Sequence, residues 1–467
     1  MAEKSPAGEV SRRAVMRSLA AAASYPLAAS GTSLKPTIGI IGGGMAGISL
    51  AWLLDSQYNV VLFEARNFPG GNVRSVPVSL DGYTFVVDIG AQFFHPKLYP
   101  TYVKLLEFLG IYPSGVHTFP ASITLAAFGN LQPLFVSPIL PGRVWPALAS
   151  WNQSGIQAFD VAFQAAKQRE DDNASWALTL DQWLPTLGLT SDQWEGMILP
   201  WAASIFAGQI DEARAMSARA AMIFAAKALP DKITDPLLYY VLNQGMAAPL
   251  IAMLGQISAA QILTRAQVTS VARNAAGRFQ IACVDGRGAT VDQVVFASSG
   301  PPTLRLLQNM QGMSAQSAAL ENIAFRNARL ALHTDPLYAS PDSKLWSFLN
   351  SGIHGGFCEA SMWMGDVVNS VPQETAGKVW KSWDTHRLVQ PQQLLAKAHF
   401  QHMFPTPATL AAQVALLSLQ GENGVWFAGG YTRPYDSQET ALLSALAVAQ
   451  GLGAASERVR QLTQTAA

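Results

Sequence analysis

The segment from Thr37 to Glu64 constrains this chain more than any other. An apolar run (Ile38, Ile40, Ile41) enters Gly42-Gly43-Gly44-Met45-Ala46-Gly47. A helix-like segment follows, and Val60-Val61-Leu62-Phe63 then leads to Glu64. The order is strand, glycine turn, helix, strand, acid. In such a unit Gly42 permits the tight turn, Gly44 lets a pyrophosphate reach the backbone, and Gly47 lets helix pack on strand. The amides of the helix start, at Met45 and Ala46, face the phosphate. Glu64 lies seventeen residues after Gly47, placed to accept from both ribose hydroxyls. A lone glycine motif says little, but flanked by two strands and an acid it reads as a dinucleotide site.

The continuation Glu64-Ala65-Arg66-Asn67-Phe68-Pro69-Gly70-Gly71-Asn72-Val73-Arg74, followed by Val87-Asp88-Ile89-Gly90-Ala91-Gln92, resembles the flavin amine oxidase superfamily. Two further stretches carry the same resemblance. One is Gly424-Val425-Trp426-Phe427-Ala428-Gly429-Gly430-Tyr431 with Glu439-Thr440-Ala441-Leu442-Leu443. The other comprises strand-like runs at Ile262 to Val268, Phe279 to Val284 and Asp292 to Ala297. The resemblance implies FAD, an α/β fold with a Rossmann-type FAD-binding domain, and an interleaved α+β substrate domain. It implies that Gly70 and Gly71 press a second loop on the FAD diphosphate, with Ala65, Asn72, Gly90, Ala91 and Gln92 along the cofactor. Val268 would offer backbone groups to the adenine. The segment from Gly429 and Gly430 to Glu439, Thr440 and Ala441 would finish the site, with a helix N-terminus at the N1/O2 edge of the isoalloxazine. Such a dipole favours the anionic reduced flavin.

The chain departs from the resembled pattern at several positions. Asn72 stands where an arginine is usual, which makes Arg74 the substitute charge. Gly430 replaces the customary acid after the strand glycine. Relatives hold a water near N5 with a lysine on a strand that corresponds to 328–332, where the nearest cation is Arg329. The aromatic two residues before the Glu439 position is Ser437, with Tyr435 the nearest ring. His95, after the Asp-x-Gly turn, is the histidine best placed to pass the flavin. Arg329, Tyr435 and His95 are therefore the candidate catalytic residues. No cysteine lies beside the C-terminal flavin segment, so the FAD is expected to be non-covalent.

At 467 residues the chain exceeds one comfortable core. The expected division is a discontinuous FAD-binding domain over 36–100, 245–300 and 415–467, and a substrate domain over 101–244 and 301–414. Residues 1–35 stand apart: Ser11-Arg12-Arg13-Ala14-Val15-Met16-Arg17 before a mild apolar run resembles a bacterial twin-arginine signal. Export of the folded protein to the periplasm is the corresponding expectation, with a cytoplasmic protein as the alternative.

Lys+Arg 31 against Asp+Glu 31 leaves no net charge, which argues against a nucleic-acid partner. The 49% hydrophobic content and the absence of Asp, Glu, Lys and Arg from residues 108–142 raise the question of a membrane span. Five prolines interrupt that stretch, so a spanning helix is excluded. A buried apolar wall is expected instead, with peripheral membrane contact as the lesser alternative. Cys283 and Cys358 support no disulfide framework. His399 and His402 could share a helix face as metal ligands, but no third ligand accompanies them, so no metal is expected.

Three functions compete. The leading one is an FAD-dependent oxidoreductase that moves hydride from an amine or another small or apolar substrate to flavin N5, its electrons passing to oxygen or a redox partner. The second is a flavin enzyme of lipid or prenyl chains. The third is a non-catalytic binding or assembly protein of the same fold.

Overall fold

A computed structural model describes residues 35–130, 132–137, 149–206, 208–230 and 237–464. The Arg12-Arg13 segment lies outside these residues. The expected α/β architecture is present. Its first layer is a five-stranded, all-parallel sheet in the order Val425–Phe427, Gln293–Phe296, Thr37–Ile41, Asn59–Phe63, Gln261–Leu263. The helix Met45–Leu54 is buried along its whole length, because the sheet covers one side and the helix Gln438–Gly451 packs on the other. Strands from both ends and the middle of the chain thus meet around one glycine turn.

The run from Ile262 to Val268, which reads as one strand, is two. Gln261–Leu263 ends the parallel sheet, and Val268–Arg273 begins a separate antiparallel sheet with Phe279–Cys283 and Gly288–Val291. Between them Arg265 takes φ +55°, and the chain is pinned beneath the second parallel strand by Arg265 N–H to Arg66 O and Ala266 N–H to Glu64 O, both 2.8 Å. Backbone hydrogen bonding, rather than hydrophobic pattern, decides that break.

A seven-stranded sheet forms the second layer, in the order Leu394–Met403, Phe325–His333, Trp380–Trp383, Phe357–Trp363, Leu349–His354, Ile123–Ala127, Phe135–Val136. Helices Ser150–Asp171, Leu199–Ser204 and Ala218–Ala228 share its core through Phe159, Phe163, Trp201, Ala221 and Ala225. The described part of the charge-free stretch supplies strands Val116–Pro120 and Ile123–Ala127. No helix among the described residues is long and apolar enough to cross a membrane. His399 and His402 lie on a strand, not a helix, so their spacing of three puts them on opposite faces.

Candidate active site

The glycine turn works as a set of close approaches. Gly42 has φ +113°, and a side chain at Gly47 would begin 1.9 Å from Gly42 O, so both positions serve the fold. Gly44 differs: its backbone is extended, and a Cβ there would meet nothing nearer than Gly71 Cα at 3.7 Å. Gly70 N–H donates to Gly43 O at 2.7 Å, which stitches the second glycine loop onto the first. Two backbones without side chains therefore form a cradle of amides at a helix start, suited to a diphosphate.

Glu64 is buried under that cradle. Its carboxylate accepts from Gly43 N–H and Arg66 N–H, each at 2.8 Å, which fixes the acid at the end of its strand. Glu64→Ala should strip Gly43 N–H of its acceptor and weaken FAD binding about 10- to 100-fold, from one or two hydrogen bonds to a charged group. Titration of apoprotein with FAD checks this.

From the cradle a cavity of about 330 Å³ runs between the two layers. Gly44, Met45 and Ala46 line one end, with Gly70, Gly71 and Asn72 facing them. Gly90, Ala91 and Gln92 continue the wall, and Gly429, Gly430, Tyr435 and Ala441 close it. The N-terminus of Gln438–Gly451 opens onto this cavity, capped by Ser437 and Thr440 reciprocally. The far arm is apolar, made by Phe163, Trp201, Phe206, Phe224, Leu237 and Phe348. Residues 121–123 of the charge-free stretch belong to its wall.

Other expected site residues lie off this wall. Ala65 is exposed, and Val268 sits in the three-stranded sheet. Arg74 stacks over Phe68 and donates to Lys397 O at 3.3 Å. Glu439 turns away to accept from Thr101 N–H and Tyr102 N–H, at 3.1 and 2.7 Å. There it caps the helix Pro100–Phe108 instead of facing a cofactor. Arg329 is held outside the sheet by the Asp384 and Thr385 carbonyls. His95 packs edge-on against Tyr240, and burial, with Lys97 nearby, holds its imidazole down to about 4. Of the three candidate catalytic side chains, the cavity takes in Tyr435 and leaves out Arg329 and His95.

A lysine is nevertheless present, delivered by the neighbouring strand. Lys381 pairs across from Leu332, is 3% exposed, and donates to Gly90 O at 2.5 Å and Gln92 Oε1 at 3.1 Å. Burial holds its ammonium down to about 7, opposed by the Asp88 charge. Asp88, buried against Ser75 Oγ and Met246 N–H, is itself pushed up to about 6 by burial, with those partners and Lys381 opposing. The sequence signal for this lysine is a charge between two tryptophans, Trp380-Lys381-Ser382-Trp383, in a run otherwise suited to a buried strand.

Glycine cradle, buried acid, helix N-terminus and apolar arm together define a dinucleotide-binding site. The chain matches the family described as flavin containing amine oxidoreductase over residues 45–329, more than half its length, and belongs to that family. It is accordingly an FAD-dependent oxidoreductase. Among solved structures, putrescine oxidase bound to putrescine is 13% identical with TM-score 0.62, covering 90% of this chain and 100% of that one. Cyclohexylamine oxidase from Brevibacterium oxydans IH-35A is 14% identical with TM-score 0.61, covering 90% and 100%. A CLA-producing fatty acid isomerase from P. acnes is 12% identical with TM-score 0.63, covering 90% and 99%. At such identities the likeness is one of fold.

The residues present fit FAD. The cradle admits a diphosphate, Glu64 braces it through Gly43 N–H, and the cavity continues past the helix N-terminus. Cys283 and Cys358 are free and buried, and neither lines the cavity, so neither thiol is placed for a thioether link.

Proposed function

We propose that this oxidoreductase acts on a monoamine with a bulky hydrocarbon body. The observation that carries the reading is Lys381, the one lysine on the described wall of a cavity whose far arm is apolar. A neutral lysine has two N–H bonds and a lone pair. Gly90 O and Gln92 Oε1 take the two N–H bonds, leaving the lone pair for a proton from an incoming ammonium. An ammonium ion has no lone pair to assist loss of hydride from its α-carbon, so deprotonation must come first. FAD, once bound, supplies the hydride acceptor.

The rest of the cavity positions the substrate. The arm from Phe163 to Phe348 takes hydrocarbon and excludes water, and no Asp or Glu among its described residues would pair a second ammonium. A diamine would therefore bury an unpaired charge, whereas an alkyl or cyclic monoamine would not. The same apolar arm favours a second reading, oxidation or isomerisation of an uncharged acyl or prenyl chain, in which Lys381 would have no ammonium to relieve.

Anaerobic mixing of holoprotein with substrate panels separates these. Apolar monoamines should bleach the oxidised flavin band, and putrescine should do so at least about 100-fold less efficiently, from the cost of an unpaired buried charge. Bleaching or turnover with fatty acyl chains alone would replace the amine reading with the lipid one.

A further inference from the structure

The cavity holds a second titratable group that the amine reading does not use. His402 Nδ1 lies 4.0 Å from Asp436 Oδ2, and their side chains keep 30% and 28% of their surface uncovered where they line the cavity. At that distance the two are not hydrogen-bonded to each other, and no hydrogen bond of either side chain to another described residue is present. Their placement is built in. His402 comes from the strand Leu394–Met403 and packs its ring on Trp383, centroids 5.2 Å apart. Asp436 comes from the loop before the helix Gln438–Gly451, and a side chain at Gly430 would begin 2.3 Å from its Oδ1. Gly430 thus leaves room for the Asp436 carboxylate to lie against the turn that, with the helix start, forms one cavity wall.

We propose that His402 and Asp436 form a proton-exchange pair for the FAD site: they share one proton while the flavin is oxidised and take up a second from solvent when it is reduced. Reduction delivers two electrons and one proton to the flavin as hydride from the substrate C–H. Reduced flavin bound there would add negative charge to the cavity that His402 and Asp436 line, and electrostatic linkage would then favour protonation of the pair. On reoxidation, an acceptor that removes two electrons and two protons takes one proton from the flavin and the other from His402 and Asp436. The pair therefore stores the proton that hydride transfer does not supply.

The surroundings keep the pair responsive. Burial pushes the Asp436 carboxyl up against the opposing His402 charge. It pushes the His402 imidazole down, with Asp436 opposing and Lys381 adding to the fall. The other titratable or charged groups nearby are Arg326, opposite His402 in the sheet and ion-paired to Glu212, and, on the Asp436 loop, Arg433, Tyr431 and Tyr435. Burial, the largest influence on the three loop groups, disfavours their charged forms, and Arg433 and Tyr435 also act on each other. Besides Lys381, the histidine and aspartate are thus the cavity groups whose proton affinities are drawn toward each other, the carboxyl upward and the imidazole downward.

The test is the pH dependence of the flavin midpoint potential, with dithionite as reductant and a mediator dye, across about pH 6.5–8. The wild-type holoprotein should take up two protons per two electrons, so its redox equilibrium should shift about 100-fold per pH unit. Asp436→Asn and His402→Gln should shift theirs about tenfold, one proton per two electrons. A wild-type slope of one proton, or variants matching a two-proton wild type, would overturn the pair; if one variant loses FAD, the other carries the comparison. The inference rests on the cavity being the FAD site but not on the substrate. An unchanged slope therefore leaves the monoamine reading standing, and an inert amine panel leaves the slope standing.

Discussion

Gly44→Val should give a folded protein that no longer retains FAD. The Gly44 backbone is extended, so a valine there incurs no left-handed strain, and the space around its Cβ is open but for Gly71 Cα at 3.7 Å. The isopropyl group would stand in the cradle where the diphosphate must meet the backbone. Losing two charge-assisted hydrogen bonds costs about 3–6 kcal/mol, or about 10²–10⁴-fold in affinity. Gly47→Ala is the contrasting control, because its Cβ would collide with Gly42 O at 1.9 Å and damage the fold itself. Circular dichroism and flavin absorbance together report the result. A Gly44→Val protein with full flavin absorbance would remove the cradle from the cofactor site.

The second large effect is expected at Lys381. Lys381→Met keeps the length and apolar stem of the side chain, so the buried strand should persist and FAD content should hold. Turnover of an apolar monoamine should fall about 10²–10⁴-fold, the usual contribution of a positioned base. The pH profile gives the sharper readout. A base held down to about 7 is protonated and inactive below that pH and neutral above it. Wild-type kcat/KM should therefore rise with pH through about 7. In Lys381→Met that limb should be missing, and a limb that survives the substitution would assign the base elsewhere.

Lys381 also marks where the sequence stops being readable. The glycine turn, Glu64 and the Gly70-Gly71 loop are local patterns, and spacing alone aligns them because the chain makes a single strand-helix-strand excursion between them. The lysine position is different in kind. A search along 328–332 meets only Arg329, because the side chain that reaches the cavity belongs to a strand paired beside that one, about fifty residues later in the chain. Cross-strand neighbours carry no sequence spacing. Glu439 shows the converse: an acid in the first turn of the right helix reads as a cofactor ligand, yet it reaches sideways to cap the helix Pro100–Phe108. The backbone amides that attract it belong to an element far away in the sequence. His402 and Asp436 were hidden for the same reason, since a strand and a loop thirty-four residues apart in the chain meet only once both sheets are assembled.

The parallel sheet has a consequence for how the enzyme is made. Its central strand, Thr37–Ile41, is synthesised roughly 380 residues before its edge strand, Val425–Phe427, and the helix that seals the cavity. Pairings of such wide sequence separation close late and slowly. The nascent glycine turn must therefore wait, with apolar faces uncovered, until Val425–Phe427 and the helix Gln438–Gly451 have left the ribosome. The cofactor cavity is thus complete only after these distant segments have paired, and FAD supply becomes part of the folding problem, because ligand bound only to the native state draws late intermediates toward it.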